Sequence, residues 1–461
     1  MISFPPKLFA GEFFFVLGLG RNGLPVARAL IAMGANVTAW DDSAGARDTA
    51  AAAGITLADP TEENLAVDAM ILSPGIPHIL PKPHPAAARA RAAKIPILSD
   101  AEILFRAVRR AGSRARFAGI TGTNGKSTTT ALLAHILAGA GVPVAAGGNL
   151  GTAALALPLL PDHGVYVLEM SSYMLERLAT LRFDVAALLN LSPDHLDRHA
   201  DMGSYAAAKR AVFDRQRAGD FSVIGIDDSL SQDMAAWLAS RPGVVVTISG
   251  SQPAAFWAEG SILRDRLGPI LDLRDAPTLP GTHNAQNAAA AAALATALGV
   301  TRADIAEWVK TYPGLPHRQQ RVAEAGEIIF INDSKATNAD AAARALGCYE
   351  RLVWIAGGIA KEGGIAPLSP FFKRVAHAVL IGRDAPAFAK TLAAHHVPHT
   401  IAGTLDAAVP AALAAARATG ALVVLLSPAC ASFDQFAGFD ARGDRFAELA
   451  TALAAASGRA A

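Results

Sequence analysis

Cysteine and net charge are both scarce in this chain. Only two cysteines, Cys348 and Cys430, occur among 461 residues, and they match no metal-binding spacing. So few cysteines are typical of a protein of the reducing cytosol, and we expect a cytoplasmic location. The formal net charge is +1, with no basic run. We therefore expect no nucleic-acid partner.

Long apolar runs are also lacking. No run is long enough to span a bilayer, and the alanine-rich stretch 285–297 is too short and too small in its side chains. Glu12 interrupts the apolar N-terminal stretch, and Phe13–Leu17 leads directly into a glycine loop, as a strand would. We therefore expect neither a signal peptide nor membrane insertion.

The composition nevertheless supplies several hydrophobic cores. Hydrophobic residues make up 52% of the chain and charged residues 18%, which does not suggest disorder. A chain of 461 residues is too long for one core. Strand-like and helix-like stretches alternate, which favours an α/β fold. We predict three domains, at residues 1–110, 111–314 and 315–461.

The predicted elements follow from the apolar runs and their spacing. The strands are predicted at 13–17, 36–40, 69–72 and 95–98; at 117–120, 165–168, 185–189, 221–226 and 244–248; and at 328–331, 352–355, 378–381 and 422–426. Helices are predicted at 24–33, 44–53, 86–93, 100–110 and 440–455. The helix 100–110 and the polar segment 111–116 are predicted to link the first two domains. A small β insertion is predicted at 261–273.

The strongest motif opens the central domain. After the strand 117–120 comes a glycine-bearing loop, and a helix-forming stretch runs from Lys126 to about 140. Glycines let backbone N–H groups approach phosphate oxygens, and the helix N-terminus carries partial positive charge. Lys126 can reach terminal phosphates and Ser127 can bind Mg²⁺. Ile120 occupies the first glycine position of the strict motif. We therefore interpret a variant nucleotide loop; a glycine-rich turn that caps a helix is the alternative.

A second glycine loop, Gly18–Gly23, lies in the first domain and has the G-x-G-x-x-G spacing. Asp41 follows about twenty residues later, where a carboxylate can bond a ribose hydroxyl. The spacing indicates a diphosphate nucleotide, either a dinucleotide or a UDP-sugar. A tight strand–helix turn without a ligand is the alternative.

Polar side chains follow two predicted strands of the central domain. Glu169 ends the strand 165–168, where an acid beside a nucleotide loop can hold Mg²⁺; it could instead cap a turn. His195 lies after the strand 185–189 and is a candidate metal ligand or oxyanion-side donor, with a solvated side chain as the alternative. Lys209 lies in a helical stretch, and its residue type alone predicts a solvated side chain.

Two further polar groups lie near the second domain boundary. Asn284 and Asn287 open an alanine-rich helix and share one face of it, which suits a purine or phosphate; helix capping is the alternative. Arg318 lies at the boundary itself. Domain closure could bring it to nucleotide phosphates, or it could form an interdomain salt bridge.

Three polar loops follow strands of the third domain, at 332–338, 357–361 and 427–436. Sheets of this type bind ligands at the carboxyl ends of their strands. Three such loops together predict a pocket for a polar or anionic ligand.

Taken together, these motifs resemble the Mur ligases, and the resemblance covers the whole chain. The segments 122–128 and 281–287 are shared widely in that superfamily. Asp-Ser-Lys-Ala-Thr-Asn at 333–338 and Ser-Pro-Ala-Cys-Ala-Ser at 427–432 are similar to the D-glutamate-adding branch. The resemblance implies a Rossmann-like N-terminal domain that binds the UDP end of UDP-N-acetylmuramoyl-L-alanine. It also implies a central P-loop ATPase-like domain and a Rossmann-like C-terminal domain that binds D-glutamate.

The resemblance implies the following site residues, grouped by ligand. The UDP-linked substrate would contact Gly18, Gly20, Arg21, Asn22, Gly23, Asp41, Ser73 and Asn149. ATP would contact Gly122, Thr123, Asn124, Gly125, Lys126, Ser127, Thr128, Asn284, Asn287, Arg318 and Asp333. Two Mg²⁺ ions would be held, one by Ser127 and Glu169 and the other by His195 and a carbamylated Lys209. D-glutamate would contact Lys335, Thr337, Lys361, Ser432, Phe433 and Phe439. In this family Thr-Arg often follows the aspartate at 41, whereas Asp42-Ser43 stand here.

The implied reaction is ATP-dependent amide ligation through an acyl phosphate, by a monomer acting on small molecules. Its catalytic residues would be Lys126, Glu169, His195, Lys209 and Lys335. A folylpolyglutamate synthetase of the same superfamily is one alternative, which the extra N-terminal domain disfavours. A nicotinamide-dependent oxidoreductase is another, but the nucleotide loop has no part in hydride transfer. A non-catalytic nucleotide-binding regulator is disfavoured by the three polar loops.

Overall fold

The computed structural model describes residues 2–61, 65–149, 151–361 and 363–458. Its fold is α/β, which confirms the predicted class. Its internal contacts divide the chain into two units. One comprises residues 1–277 and 282–312, and the other residues 278–281 and 313–461.

The first unit begins with a five-stranded parallel sheet in the order β3-β2-β1-β4-β5. Its elements are β1 (Phe13–Leu17), α1 (Gly23–Ala32), β2 (Asn36–Trp40), α2 (Ala44–Ala52), β3 (Thr56–Leu57), β4 (Ala69–Leu72), α3 (Pro85–Ala92) and β5 (Ile97–Leu98). Strand β1 is central and buried from Phe14 to Leu17, as its continuous apolar run predicts.

A nine-stranded sheet completes the first unit, in the order β14-β13-β12-β11-β10-β9-β6-β8-β7. The pairs from β7 to β12 are parallel, whereas β12, β13 and β14 form antiparallel hairpins. Its elements are α4 (Asp100–Arg110), β6 (Arg116–Thr121), α5 (Lys126–Gly139), β7 (Val144–Gly148), β8 (Val165–Glu169), α6 (Ser172–Leu175), β9 (Val185–Leu188), α7 (Leu196–His199), α8 (Met202–Arg210), β10 (Phe221–Gly225), α9 (Ser229–Leu238), β11 (Val244–Ser249), β12 (Phe256–Glu259), β13 (Ile262–Asp265), β14 (Gly268–Asp272), α10 (Thr282–Ala297) and α11 (Arg302–Lys310).

Helix α4 packs in a core that these two sheets share. Its apolar face is buried in the same cluster as Phe14 of β1 and Phe117 of β6. The Glu102 carboxylate accepts hydrogen bonds from the backbone N–H groups of residues 179–181. The segment predicted as a linker is therefore a packed element, because its amphipathic face finds partners on both sides.

The second unit contains a six-stranded sheet in the order β15-β16-β21-β17-β19-β20, antiparallel only at the β15 edge, and a separate antiparallel pair of short strands, β18 and β22. Its elements are β15 (Gln320–Ala325), β16 (Ile328–Asn332), α12 (Ala339–Leu346), β17 (Leu352–Gly357), β18 (Ile359–Ala360), β19 (Val375–Ile381), α13 (Ala385–Ala394), β20 (His399–Gly403), α14 (Leu405–Thr419), β21 (Val423–Leu426), β22 (Cys430–Ala431) and α15 (Phe439–Gly458). Separate apolar clusters cover its two faces, as in a doubly wound sheet. No helix within the described residues is both long and apolar enough to cross a membrane.

Candidate active site

Three loops of the first unit meet because the strands before them are neighbours. Strand β6 lies between β9 and β8, and all three run parallel. The glycine loop after β6, Glu169 at the end of β8 and the 190–199 segment after β9 therefore emerge at one sheet edge. This is the edge at which parallel α/β sheets bind ligands.

The glycine loop has the conformation of a phosphate-binding loop. Gly125 is the N-cap of α5, with a φ of 84°, and the helix begins at Lys126. The Lys126 ammonium folds back and donates to the carbonyl oxygens of Gly122 at 2.9 Å and Thr123 at 2.8 Å. The hydroxyl-bearing Ser127 and Thr128 are buried in the first turn. The loop thus presents a helix N-terminus and a cation on one side of the sheet edge.

A chain of side-chain amides supports this loop. The Asn190 carbonyl Oδ1 accepts from the Asn124 backbone N–H at 2.9 Å, and its Nδ2 donates to Gln286 at 2.9 Å. Gln286 in turn donates to Asp227 at 2.8 Å. These bonds connect the loop to α10 and to the end of β10. Asn190 begins the polar run after the strand 185–189 from which only His195 was predicted to have a role, so its contribution to the loop is not among the predictions from sequence.

The two asparagines of α10 lie on one face, as their spacing predicts. The Asn287 Nδ2 group donates to the Asn284 Oδ1 atom at 3.0 Å. The Asn287 Oδ1 atom accepts from Thr129 of α5 at 3.3 Å. Both side chains are buried in the described structure, so α10 is packed against the helix that the glycine loop starts.

Glu169 has the environment of a cation ligand. It is 2% exposed, and its Oε1 atom accepts from the Asn149 side chain at 2.7 Å. Its Oε2 atom is buried and has no hydrogen-bond partner among the described residues. An unpartnered buried carboxylate oxygen is costly, and a hard cation such as Mg²⁺ would satisfy it.

Lys209 of α8 is buried, so the prediction of a solvated side chain is wrong. It is 2% exposed, and its ammonium donates to the carbonyl oxygen of Gly122 at 2.8 Å. The same oxygen accepts from Lys126. Burial and the neighbouring Lys126 lower the pKa of Lys209 well below its ordinary value. The sequence window of α8 does not show this burial, since the partner of the ammonium, Gly122, lies 87 residues earlier in the chain.

His195 lies beside these lysines. It adopts the left-handed conformation, with a φ of 53°, and its ring is half exposed. The ring makes edge contacts with Tyr173 and Tyr205 at centroid distances of 5.2 and 6.4 Å. Burial lowers the pKa of His195, and the cations Lys126 and Lys209 act in the same direction. Within the described residues, no group of three His, Cys, Asp or Glu side chains forms a metal cluster.

The loop Gly18–Gly23 follows β1 in the first sheet. A Cβ atom at Gly23 would lie 1.6 Å from the Gly18 carbonyl oxygen, so packing alone requires glycine there. A Cβ at Gly20 would meet nothing within 4 Å, so the protein does not itself require that glycine. Arg21 is exposed, and Asn22 is the N-cap of α1. Asp41 accepts from the Leu19 backbone N–H at 2.6 Å, which fixes the loop to β2.

In the second unit, the polar loops also share a sheet edge. Strands β16, β21 and β17 are parallel neighbours, so the segments 332–338, 427–436 and 357–361 follow adjacent strand ends. Asp333 is buried and accepts from the Ser427 hydroxyl at 2.8 Å and from the Gln319 N–H at 3.2 Å. Burial raises the pKa of Asp333 to about 7.

The remaining predicted residues of the second unit differ widely in exposure. The Lys335 ammonium lies 5.5 Å from the centroid of the Phe439 ring. Lys361 is exposed, Thr337 is half-buried, and the Phe433 side chain is 71% exposed. Ser432 is 2% exposed, and Arg318 is partly buried, with an Nε atom that has no hydrogen-bond partner among the described residues.

Comparison with known proteins identifies the family of this chain. Residues 120–295 match the model of the Mur ligase middle domain. A UDP-N-acetylmuramoylalanine–D-glutamate ligase from Paramagnetospirillum magneticum is 52% identical, over 98% of this chain and 99% of that protein. A ligase of the same name from Rhodospirillum rubrum is 47% identical, over 98% and 96%. The chain belongs to the Mur ligase family.

Solved structures of Mur ligases share the fold. The UDP-N-acetylmuramate–alanine ligase of Thermotoga maritima matches with a TM-score of 0.59 at 18% identity, over 95% of this chain and 98% of that chain. MurF from Acinetobacter baumannii matches with a TM-score of 0.58 at 18% identity, over 97% and 93%. At such identity the likeness concerns the fold alone. The resemblance to the Mur ligases, predicted from the sequence motifs, is confirmed. The predicted α/β fold class of this Mur ligase is confirmed as well.

Proposed function

We propose that this Mur ligase joins D-glutamate to UDP-N-acetylmuramoyl-L-alanine in the cytoplasm, using ATP and releasing ADP and phosphate. The observation that carries the proposal is the 52% identity to a D-glutamate ligase over 98% of the chain. The segments 333–338 and 427–432, which resemble the D-glutamate-adding branch, support it. We further propose that the domains 1–110, 111–314 and 315–461 bind the UDP end, ATP and D-glutamate respectively.

The proposed ATP site is the edge formed by the ends of β6, β8 and β9. The glycine loop 122–125 and the start of α5 would bind phosphate oxygens through backbone N–H groups. Lys126 would exchange its two carbonyl contacts for phosphate oxygens, since a charged acceptor makes the stronger bond. The other residues that we propose to contact ATP are Asn284, Asn287, Arg318 and Asp333.

The residues present fit Mg²⁺. Ser127 and Glu169 would hold one ion, which the buried, unpartnered Oε2 atom of Glu169 supports. His195 and a carbamylated Lys209 would hold a second. When bound, Mg²⁺ neutralises phosphate charge and orients the transferring group. Carbamylation converts the lysine cation into an anion, and the burial of Lys209 beside Lys126 favours that change because it removes a repulsion.

The proposed reaction has two steps. The carboxylate of the UDP-linked substrate attacks the γ-phosphorus of ATP, which forms an acyl phosphate and releases ADP. The amine of D-glutamate then attacks the acyl carbon, which forms the amide and releases phosphate. Lys126 would stabilise the charge that develops in the first step. Lys335, with Thr337, Lys361, Ser432, Phe433 and Phe439, would bind and orient D-glutamate for the second.

The loop after β1 is proposed to receive the diphosphate of the UDP-linked substrate. Gly20 supports this role, because no described residue other than its chain neighbours lies within 4 Å of a Cβ built there, so a close ligand approach rather than packing would require the glycine. Gly18, Arg21, Asn22, Gly23, Asp41 and Ser73 would surround it, and Asn149 would contact the substrate beside Glu169.

The test is a coupled measurement of ADP release and product mass. Purified protein with MgATP, UDP-N-acetylmuramoyl-L-alanine and D-glutamate should release ADP and form a product heavier by one glutamyl residue. L-glutamate in place of D-glutamate should give neither product nor sustained ADP release. Absence of ADP release with the muramoyl substrate and any amino acid would refute the proposal.

A further inference from the structure

Arg177, just after α6, is almost fully buried although it is an arginine. Among the described residues, its side-chain hydrogen bonds go to the end of β4 and the loop that follows it, residues 72–78, which we call the β4 loop. The Nη1 group donates to the carbonyl oxygens of Leu72 at 3.0 Å and Ser73 at 3.2 Å, and Nη2 donates to Ile76 at 2.8 Å. The Nε and Nη2 groups both lie within hydrogen-bond distance of the His78 Nδ1 atom. One planar guanidinium therefore fixes four points of the β4 loop.

One further contact fixes Arg177 to α4, and another fixes the β4 loop to the segment after β9. The Arg177 carbonyl oxygen accepts from the Ser99 N–H at 3.0 Å, at the start of α4. Arg198, in the helix after His195, donates to the Gly75 carbonyl oxygen at 3.1 Å. The β4 loop thus accepts hydrogen bonds from Arg177, which follows β8, and from Arg198, which follows β9. Both strands flank β6, which carries the phosphate-binding loop.

The position of the β4 loop determines that of the glycine loop after β1. The Ser73 hydroxyl donates to the Gly18 carbonyl oxygen at 3.0 Å. A Cβ atom at Gly18 would lie 2.7 Å from the Ser73 side chain, so the two loops pack against each other with no room for a larger residue at position 18. A shift of the β4 loop must therefore be transmitted to Gly18, since neither loop has room to move alone.

The guanidinium acts here through geometry rather than through an ion pair. Its bonded acceptors are three carbonyl oxygens and a histidine nitrogen. Burial lowers the pKa of Arg177 to about 10, so the group stays protonated at neutral pH and keeps all its donors. A lysine at this position would retain the charge but not the planar set of donors.

We propose that Arg177 is a positioning residue that fixes the UDP-linked substrate relative to the phosphate-binding loop, by holding the β4 loop and, through Ser73, the loop Gly18–Gly23. The inference rests on the proposed function, because it assumes that the loop Gly18–Gly23 binds the nucleotide end of the substrate. It assigns a role in substrate alignment to a residue outside every substrate contact proposed above.

The test compares Arg177→Met and Arg177→Lys with a matched control, Arg109→Met. Arg109 also donates to two backbone carbonyls, those of Ser113 and Ala115, and packs on Phe117, but it lies near the amino end of β6, away from the loops. All variants should lose thermal stability. Only the Arg177 variants should raise the KM for UDP-N-acetylmuramoyl-L-alanine, by about 10-fold or more, with the KM for ATP changed less than about twofold.

A second measurement separates this inference from the proposed function. Calorimetric binding of UDP-N-acetylmuramoyl-L-alanine without ATP or glutamate needs no catalysis, and it should weaken in Arg177→Lys to the same extent as KM rises. A wild-type protein that binds this molecule but forms no amide would refute the proposed function and leave the positioning role testable. If the Arg177 variants lose stability with unchanged substrate affinity, or if the KM values of all substrates rise together, the positioning role is refuted. Should Arg177→Met fail to fold, Arg177→Lys decides alone.

Discussion

Gly125 gives the sharpest test of the phosphate-binding loop, because replacing it with alanine perturbs the loop in two separable ways. The residue has a φ of 84°, which an L-amino acid with a Cβ rarely adopts. An added Cβ would also lie 2.1 Å from the Asn287 Oδ1 atom and 3.2 Å from Leu189. The backbone strain and the displacement of Asn287 each lower the free energy of unfolding, and the two contributions can be estimated separately.

The strain of a left-handed alanine is about 1–2 kcal/mol. The contact at 2.1 Å forces the Asn287 side chain to move, which breaks its hydrogen bonds to Thr129 at 3.3 Å and Asn284 at 3.0 Å. Each such bond contributes about 0.5–1.5 kcal/mol. The total destabilisation by Gly125→Ala is therefore about 2–5 kcal/mol. A unit of this size responds with roughly 2 °C in unfolding temperature per kcal/mol, so we expect a fall of roughly 4–10 °C.

The matched control is Gly141→Ala, just beyond the other end of the same helix. Gly141 has a φ of 77°, but its Cβ would meet nothing within 4 Å, so only the backbone strain applies. Scanning calorimetry should show Gly141→Ala to lose about half as much stability or less, with the KM for ATP unchanged. Gly125→Ala should raise that KM by about 10-fold or more, because the loop N–H groups move. Equal effects of the two substitutions on stability and ATP affinity would refute the assigned loop geometry.

Three further predictions concern single side chains. Lys126→Ala should abolish ADP formation while calorimetric binding of UDP-N-acetylmuramoyl-L-alanine survives, because the ammonium donates to two carbonyl oxygens of the glycine loop after β6, whereas the substrate's nucleotide end is proposed to bind the loop after β1. Lys361→Ala should raise the KM for D-glutamate by about 10-fold with the KM for ATP little changed, because the exposed ammonium follows the end of β17. For Asp333→Asn we compare the free energy of unfolding with that of wild type by calorimetry at two pH values. The difference, variant minus wild type, should be about 2–3 kcal/mol larger at pH 8 than at pH 5. Burial raises the pKa of Asp333 from 3.8 to about 7, so its protonated form favours folding at low pH and that contribution is lost as pH rises through 7.

Each of these predictions has a contradicting result. Loss of both ADP formation and muramoyl-substrate binding in Lys126→Ala would undermine separate sites for the two nucleotides. The exposed Lys373 on the same unit provides a control for Lys361; an unchanged KM for D-glutamate in Lys361→Ala, as in Lys373→Ala, would remove Lys361 from the pocket. A pH-independent stability difference between Asp333→Asn and wild type would mean that Asp333 is ionised when buried.

The principal strands of the three larger sheets could be predicted from sequence, because parallel strands buried on both faces appear as short continuous apolar runs. Strands β1, β2 and β4 have the predicted bounds. The strands missed lack that signal. Strand β7 contains two glycines in Val144–Gly148, and the edge strands β15 and β20 are largely polar or exposed. Their pairing depends on a neighbour already in place, which no local window contains.

Candidate site residues were found where the sequence joins a polar group to the end of an apolar run, as at Glu169 and His195. Asn190 and Gln286 were assigned no role, because they support the glycine loop from elements far apart in the chain. Arg177 was missed as well. Residue type alone predicts a solvated side chain at Lys209, which only the family resemblance names as a site residue, and tertiary packing buries both cations. Residue type predicts exposure well on average, and it fails where function requires a buried charge.

The arrangement of cations around Gly122 explains why this edge of the sheet suits an anion. Two ammonium groups, those of Lys126 and Lys209, donate to the same carbonyl oxygen. Like charges this close repel each other strongly when one of them is buried. The repulsion is relieved if Lys126 turns towards a phosphate group, and relieved further if Lys209 becomes an anionic carbamate. Relief of one shared repulsion would not by itself couple the two changes favourably, but a carbamate at Lys209 would also supply a ligand for the proposed second Mg²⁺, so binding of Mg-ATP and lysine modification should favour each other. ATP affinity should accordingly rise with bicarbonate concentration in wild type, and Lys209→Met should abolish that dependence in a binding assay.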